Sequence, residues 1–314
     1  MKIYFTFEPR EHLKQPLLEE FPGIDFVFHK KLEEAELGDT DILVTYGTDL
    51  NAKRIAMLKK ASWIFVASAG LELMPAEAIA ERGIYVSNVR GIHKKPMAES
   101  IMAHILAQKR ALPEIYRHQA EAKWNNRLYQ TELNGSTALI LGPGAIGQEI
   151  GRVLQAFEVH TVGCNTTGEP VSYMNETHRM DNLVNELPKA DIVISILPST
   201  PRTKHLLSRE HFEAMKDTAL FLNFGRSDVV DTDVLVKALE EKLIAHAILD
   251  VYDEEPLPSA SKLWTLKNIT LSPHISSHSS RYVERSLDIF KPSLRKFLNG
   301  ETKLENEVDI LRGY

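Results

Sequence analysis

Apolar residues in this chain fall into two alternating patterns. Short aliphatic or aromatic runs bounded by polar turns occupy residues 3–7, 25–28, 42–45, 63–67 and 84–86, and such runs predict buried strands. Between them apolar positions recur at helical spacing, as at 52–60 and 76–82. A longer helical pattern spans 97–118, after Pro96. The alternation then resumes, with strands at 137–141, 159–163, 192–197, 219–223, 247–249 and 269–271. Helices fit 148–157, 181–187, 209–215 and 232–242, and a last amphipathic stretch covers 281–298. Strands that alternate with helices pair in parallel and carry helices on both faces. The expected fold class is therefore α/β, with two doubly wound parallel-sheet domains.

One stretch adds chemistry to this pattern. The strand at 137–141 runs into Gly142-Pro143-Gly144-Ala145-Ile146-Gly147, then a helix, then a second strand. In that context the spacing of Gly142, Gly144 and Gly147 is a dinucleotide-binding signature. The first glycine permits the tight turn, the second leaves room for a pyrophosphate, and the third lets helix and strand pack closely. The helix start offers unpaired N–H groups and a partial positive charge to phosphates. The competing expectation is a glycine-rich turn that binds nothing.

Composition narrows the field. At 314 residues the chain is long enough for two domains, and 43 % hydrophobic content supports substantial cores. A net charge of −6 with no long basic block disfavours nucleic acid as a partner. The single cysteine, Cys164, is expected to be a small apolar filler and fits a reducing compartment. The first residues form too short an apolar run for a signal peptide, and no stretch approaches a membrane span. A cytoplasmic location, with no membrane partner, is the expectation. No metal site is expected.

Three charged residues each follow a predicted strand on the same side of the second sheet. Arg226 follows 219–223, Glu255 follows 247–249 and His274 follows 269–271. Arginine holds a carboxylate through two parallel bonds, and histidine exchanges protons near neutral pH. A carboxylate beside the imidazole would hold its ring and favour its charged form. Taken singly, each has a plain structural explanation: a solvated charge, a histidine satisfied by a backbone carbonyl, an exposed acidic turn. As a set beside the glycine turn they form a candidate catalytic group.

With these residues in view the chain resembles the D-isomer-specific 2-hydroxyacid dehydrogenases, the family of D-lactate, D-glycerate and phosphoglycerate dehydrogenases. The resemblance runs nearly end to end. Its markers are Ala69-Gly70, Asn88 to Glu99, Glu132 to Ser136, the glycine turn, Ala190 to Val193, Leu197 to Thr203, Asn223 to Asp231, Leu249 to Leu257 and Ser272 to Ile275. It implies a flavodoxin-like substrate domain, 1–96 plus 285–314, into which a Rossmann nucleotide-binding domain, 97–284, is inserted. It implies hydride transfer between a nicotinamide cofactor and a small 2-oxo or 2-hydroxy acid, in a homodimer. Arg226 would hold the substrate carboxylate and carbonyl, His274 would give and take the proton, and Glu255 would pair with His274. Ala69, Gly70 and Leu71 would meet the substrate. Ala145, Ile146, Leu197, Pro198, Thr203 and Asp250 would join the three glycines, Asn165, Thr166 and Thr167 around the cofactor. Further pocket walls are expected from Tyr46, residues 90–97 and Trp124. Pro143, Ser227 and the pair Ser276-Ser277 depart from the family's usual residues and bear on the fine shape of the pocket.

The second strand of the nucleotide unit ends Val162-Gly163-Cys164-Asn165-Thr166-Thr167-Gly168, with no acid before Glu169 and no arginine within the stretch. An NAD-specific turn places an acid about 20 residues past the first glycine to bind the ribose 2′-OH. Its absence favours NADP(H) over NAD(H), although an NAD enzyme gripping the ribose through Asn165 or water stays open. Two other classes also stay open: a cofactor-sensing binding protein resembling the dehydrogenase-like corepressors, and a nucleotide- or S-adenosylmethionine-binding transferase.

Overall fold

The computed structural model describes residues 1–68, 70, 71, 73–301 and 303–311. The chain divides into two compact units, Met1–Ile92 with Ser279–Tyr314, and His93–His278. Both are α/β and each is built on one wholly parallel sheet.

The first unit has strands β1 (Lys2–Phe5), β2 (Asp25–Phe28), β3 (Ile42–Thr45), β4 (Trp63–Val66) and β5 (Tyr85–Asn88) in the order β2-β1-β3-β4-β5. This is the flavodoxin-like order. Side chains alternate across the sheet, as the period of two demands. Ile3 and Phe5 enter one buried cluster while Tyr4, between them, enters the other. The helix Tyr282–Leu298, far along the chain, covers the first of these faces with Leu287, Phe290 and Leu294. The Phe290 ring lies 5.6 Å from Phe5, 5.5 Å from Trp63 and 5.0 Å from Phe65.

The second unit has β6 (Thr137–Leu141), β7 (His160–Asn165), β8 (Glu176–Arg179), β9 (Ile192–Ser195), β10 (Leu220–Asn223), β11 (His246–Leu249) and β12 (Ile269–Leu271). Their order is β12-β11-β10-β9-β6-β7-β8, a Rossmann sheet with β12 added at one edge. The chain reverses direction across the sheet at the neighbours β6 and β9, and ligands of such sheets bind beyond the carboxyl ends of the strands at that reversal. The inner strands are buried on both faces, with Ala138 and Ile140 on one side and Leu139 and Leu141 on the other.

The structure corrects three expectations from periodicity. The pattern at 97–118 is two helices, Lys94–Lys109 and Leu112–Ala120. Ala111 between them takes a left-handed φ of 53°, and Pro113 has no N–H with which to continue the first helix. The segment 181–187 is a short α-helical turn, Leu183–Glu186, between two 3-10 turns. Strand β8 was not expected at all. Its sequence, Glu-Thr-His-Arg, carries no apolar run because an edge strand buries little. Among the described residues no helix is long and apolar enough to cross a membrane.

Candidate active site and nucleotide groove

The glycine turn is built as its spacing requires. Gly142 has a φ of +81°, and a Cβ there would press on Leu197 at 3.0 Å and on the Ile196 carbonyl at 3.3 Å. The helix Ala145–Ala156 starts directly after Gly144, three residues earlier than periodicity alone predicts. No atom lies within 4 Å of a Cβ placed on Gly144, so its outer side is open space. Gly147 packs against the turn itself, its Cβ position 3.0 Å from the Gly142 carbonyl. Pro143 points inward: it is buried, and its ring sits against Gly163 of β7. This departure from the family pattern therefore shapes the sheet side of the turn and also contributes to the groove in front of it.

A groove of about 1180 Å³ opens in front of this turn. Gly142, Gly144, Asn165, Thr166, Leu197, Pro198 and Thr203 line it. Ala145 is exposed on the first helical turn, and Ile146 packs into the core below. Thr203 ties its own turn together, donating to Pro198 O at 2.5 Å. At the end of β7 the Asn165 carboxamide is committed to its loop: Oδ1 accepts from Thr167 N at 3.0 Å and Gly168 N at 2.6 Å, and Nδ2 donates to Glu169 O at 3.1 Å. The Thr167 hydroxyl accepts from Glu169 N at 3.2 Å. The groove also receives a residue that sequence reasoning missed. Arg179 ends β8, in register with Asn165, so an arginine does stand beside the end of β7. Reading β8 as a strand parallel to β7 was the signal that could have found it. Cys164 is buried, its thiol pushed up to about 12 chiefly by burial, which leaves it an inert filler.

Beyond β11 and β12 the structure joins two of the three charged residues. His274 Nδ1 lies 2.8 Å from Glu255 Oε2. The other carboxylate oxygen, Oε1, accepts from Tyr252 N at 3.1 Å, which fixes the acid from behind. Tyr252 spans the two strand ends, donating to Leu249 O at 3.1 Å and Ser272 O at 2.7 Å. Both members of the pair stay substantially exposed, at 46 % for His274 and 37 % for Glu255. They line a cavity of about 890 Å³ with Tyr252, Trp264, Ser277 and His278.

His274 has a left-handed φ of 54°, an uncommon and strained conformation for a residue with a side chain. Asp250 accounts for it. The residue is 1 % exposed, and its carboxylate accepts from Ser272 Oγ at 2.5 Å, Ile275 N at 3.1 Å and Ser276 N at 3.2 Å. Those bonds clamp the loop on both sides of His274. In the structure this residue, expected near the cofactor, organises the loop that carries the imidazole.

Arg226 follows β10, the strand next to β11. Asn223 shapes its turn, accepting from Gly225 N at 3.2 Å and donating to Arg226 O at 3.0 Å. Gly225 is needed because a Cβ there would drive into the Leu197 carbonyl. The Arg226 side chain is exposed and donates from Nη1 to Gly225 O at 3.0 Å. Among the described residues no hydrogen bond or ion pair joins it to Glu255 or His274. In the first unit, Gly70 and Leu71 lie in the turn after β4, with Leu71 buried, and Ala69 lies outside the described residues. The Tyr46 ring lies tilted against Phe7, centroids 4.5 Å apart, whereas Trp124 is 93 % exposed and lines none of the described cavities.

Residues 102–276 match the family model described as D-isomer specific 2-hydroxyacid dehydrogenase, NAD binding domain. The chain is 34 % identical over 273 residues to a glyoxylate reductase of Thermofilum pendens, covering 84 % of this chain and 80 % of that one. It is 30 % identical to the D-3-phosphoglycerate dehydrogenase of Methanocaldococcus jannaschii over 99 % of this chain, which spans 60 % of that longer protein. Among solved structures, a D-isomer specific 2-hydroxyacid dehydrogenase family protein from Aeromonas salmonicida superposes with a TM-score of 0.84 at 29 % identity, covering 98 % of this chain and 99 % of that chain.

Proposed function

The chain belongs to the D-isomer specific 2-hydroxyacid dehydrogenase family, and from that premise we propose that it is an NAD(P)-dependent reductase of small 2-oxo acids, interconverting them with D-2-hydroxy acids. The observation that carries this reading is the Glu255–His274 pair, held at 2.8 Å in the same sheet as an open glycine turn. A nicotinamide cofactor, when bound, supplies or accepts the hydride. The residues that would hold it are Gly142, Gly144 and the start of the helix Ala145–Ala156, where the free side of Gly144 and the unpaired N–H groups suit a pyrophosphate.

The protein's own part is to place and move a proton. An ionised carboxylate only accepts, so Glu255 fixes the proton of His274 on Nδ1. Nε2 is then the nitrogen that gives a proton to the substrate oxygen on reduction and takes it back on oxidation. Arg226, with most of its guanidinium donors uncommitted among the described residues, binds the substrate carboxylate and stabilises charge on the carbonyl oxygen. Glyoxylate and hydroxypyruvate are the first substrates to test, because a relative of similar length is a glyoxylate reductase.

We further propose NADP(H) as the preferred cofactor, on the absence of a carboxylate among Asn165, Thr166 and Thr167. A cytoplasmic homodimer is proposed as well. The support for the dimer is the exposed aromatic stretch after Lys109, where Tyr116 is 62 %, Trp124 93 % and Tyr129 88 % exposed. The decisive experiment follows NADPH and NADH oxidation with a panel of 2-oxo acids, alongside light scattering for mass. Cofactor binding without turnover on any 2-oxo acid would move the protein to the cofactor-sensing class. A strong NADH preference would reverse the cofactor proposal, and a monomeric mass the dimer.

A further inference from the structure

We infer that Arg179 is the residue that reads the 2′-phosphate of the cofactor's adenosine ribose, and that Asp181 is its resting counter-ion, displaced when the phosphate binds. The inference rests on the NADP(H) reading above and names the group that would enforce it.

Position comes first. Strand β8 runs parallel to β7 with His178 opposite Cys164 and Arg179 opposite Asn165. Arg179 thus reaches the carboxyl edge one strand away from the point where dinucleotide folds meet the ribose 2′ position. Arg179, Asp181, Asn165 and Thr166 all line the groove that begins at Gly142 and Gly144.

Room is provided by a glycine. Gly168 has a φ of +78°, and a Cβ on it would stand 2.8 Å from Arg179 Cγ and 3.4 Å from Arg179 N. The loop after β7 therefore closes over the aliphatic stem of Arg179, while its side chain stays 61 % exposed. The loop does not offer a competing ligand from Asn165, whose carboxamide is spent on Thr167, Gly168 and Glu169. Thr166, exposed in the same groove, is left as a hydroxyl donor beside the guanidinium.

Energetics favour an exchange. Arg179 Nη2 donates to Asp181 Oδ2 at 3.1 Å, with the two side chains 61 % and 82 % exposed. Such an exposed pair contributes little and is readily given up. A phosphate monoester carries more charge than a carboxylate and presents three acceptor oxygens to the guanidinium fork. Asp181 also repels an incoming phosphate, so it lowers affinity for the 2′-phosphate while holding Arg179 in place.

Titration calorimetry on the full chain with 2′,5′-ADP and with 5′-AMP tests this without relying on turnover. The wild type is expected to prefer 2′,5′-ADP. Arg179→Gln is expected to weaken 2′,5′-ADP by about 10- to 100-fold, the loss of one charge-assisted phosphate contact, and 5′-AMP by less than about twofold. Asp181→Asn should strengthen 2′,5′-ADP by a few-fold and leave 5′-AMP unchanged. Circular dichroism confirms that both variants are folded. If the wild type prefers 2′,5′-ADP and Arg179→Gln retains that preference, the assignment of Arg179 is wrong while the cofactor reading survives. If the wild type binds 5′-AMP as tightly, the cofactor reading fails and takes this one with it. Weakening of both ligands by Asp181→Asn would make Asp181 a ribose acceptor and overturn its role as a displaced counter-ion.

Discussion

The two halves of the second sheet end in opposite ways. At β6 and β7 the chain makes room by leaving side chains out: Gly142 turns at a positive φ, Gly144 faces open space, and Gly168 lets an arginine stem lie across its loop. At β11 and β12 it does the reverse and pins side chains down. Asp250 accepts three hydrogen bonds from the loop around His274, Tyr252 laces two strand ends together, and Glu255 is held by a backbone N–H before it meets the imidazole. On the proposed reading, one half would recognise with backbone and space, and the other would act through fixed side chains. The lesson is that substitutions in the first half should register as binding, and in the second as rate.

The sharpest way to break that division is His274→Ala. Loss of the proposed proton donor should lower kcat by about 10²–10⁴-fold, or roughly 3–5 kcal/mol of barrier, and leave cofactor affinity nearly unchanged. Steady-state kinetics with fluorescence titration of the cofactor decides it. Collapse of cofactor binding with turnover largely retained would assign the imidazole to the wrong half.

Next in size is a contrast between two glycines. A methyl group at Gly225 would drive into the Leu197 carbonyl and stand 2.7 Å from Leu197 N, so Gly225→Ala should cost about 2–3 kcal/mol of stability. Gly144→Ala meets nothing within 4 Å, so its stability should stay within about 0.5 kcal/mol while cofactor KM rises. Urea midpoints and cofactor titrations of the pair check this. A stable Gly225→Ala, or a Gly144→Ala that binds cofactor normally, would remove the distinction between packing glycines and recognition glycines.

Both sheets and the glycine turn were legible in the sequence because each inner strand is a buried apolar run between polar turns. The residues that failed to announce themselves share a physical cause. Strand β8 is polar because it lies at an edge, so the sequence does not reveal that Arg179 stands opposite Asn165, one strand from the end of β7. The break at Ala111 is a single left-handed residue inside a pattern that stays amphipathic on both sides. Strand ends bring Glu255 and His274 toward one site and the family resemblance implies their pairing, yet nothing in sequence spacing reveals that His274 needs a positive φ or that Asp250 holds it there. Arg226 was grouped with that pair by the same logic, and the sheet places it on the next strand without a direct bond to either. Topology follows from patterning, whereas hydrogen-bonded loops require coordinates.

Asp250→Asn measures how much of the rate depends on the clamp. An amide keeps one acceptor oxygen and puts an NH2 group in place of the other, so it meets either Ile275 N or Ser276 N, each of which also donates, with a second donor. The loop should loosen and kcat fall by about 10- to 30-fold, with cofactor affinity changing less than about threefold. Ser272→Ala, which removes one of the three bonds, should lose less. Equal losses in cofactor affinity and in kcat would place Asp250 with the nucleotide groove and erase the boundary between the two halves.

The smallest effect separates the two ends of a single strand. His246 begins β11, opposite the end that leads to Glu255, and its Nε2 lies 2.9 Å from the Thr270 hydroxyl. Burial pushes its pKa from 6.5 down to about 4. The unfolded chain therefore binds a proton there between pH 6.5 and 4 that the folded chain refuses. Stability is complete above about pH 6.5 and falls as pH drops through that window, by about 1–2 kcal/mol at pH 5. His246→Gln keeps a polar partner for Thr270 without titrating, so its urea midpoint should fall less between pH 7.5 and 5 than the wild type's. Its kcat at pH 7.5 should match the wild type's, because this end of the strand carries packing and the proposed chemistry belongs to the other end. A parallel loss of acid stability in the variant would show that other groups set the acid limb, and a changed kcat would show that the two ends of β11 are coupled.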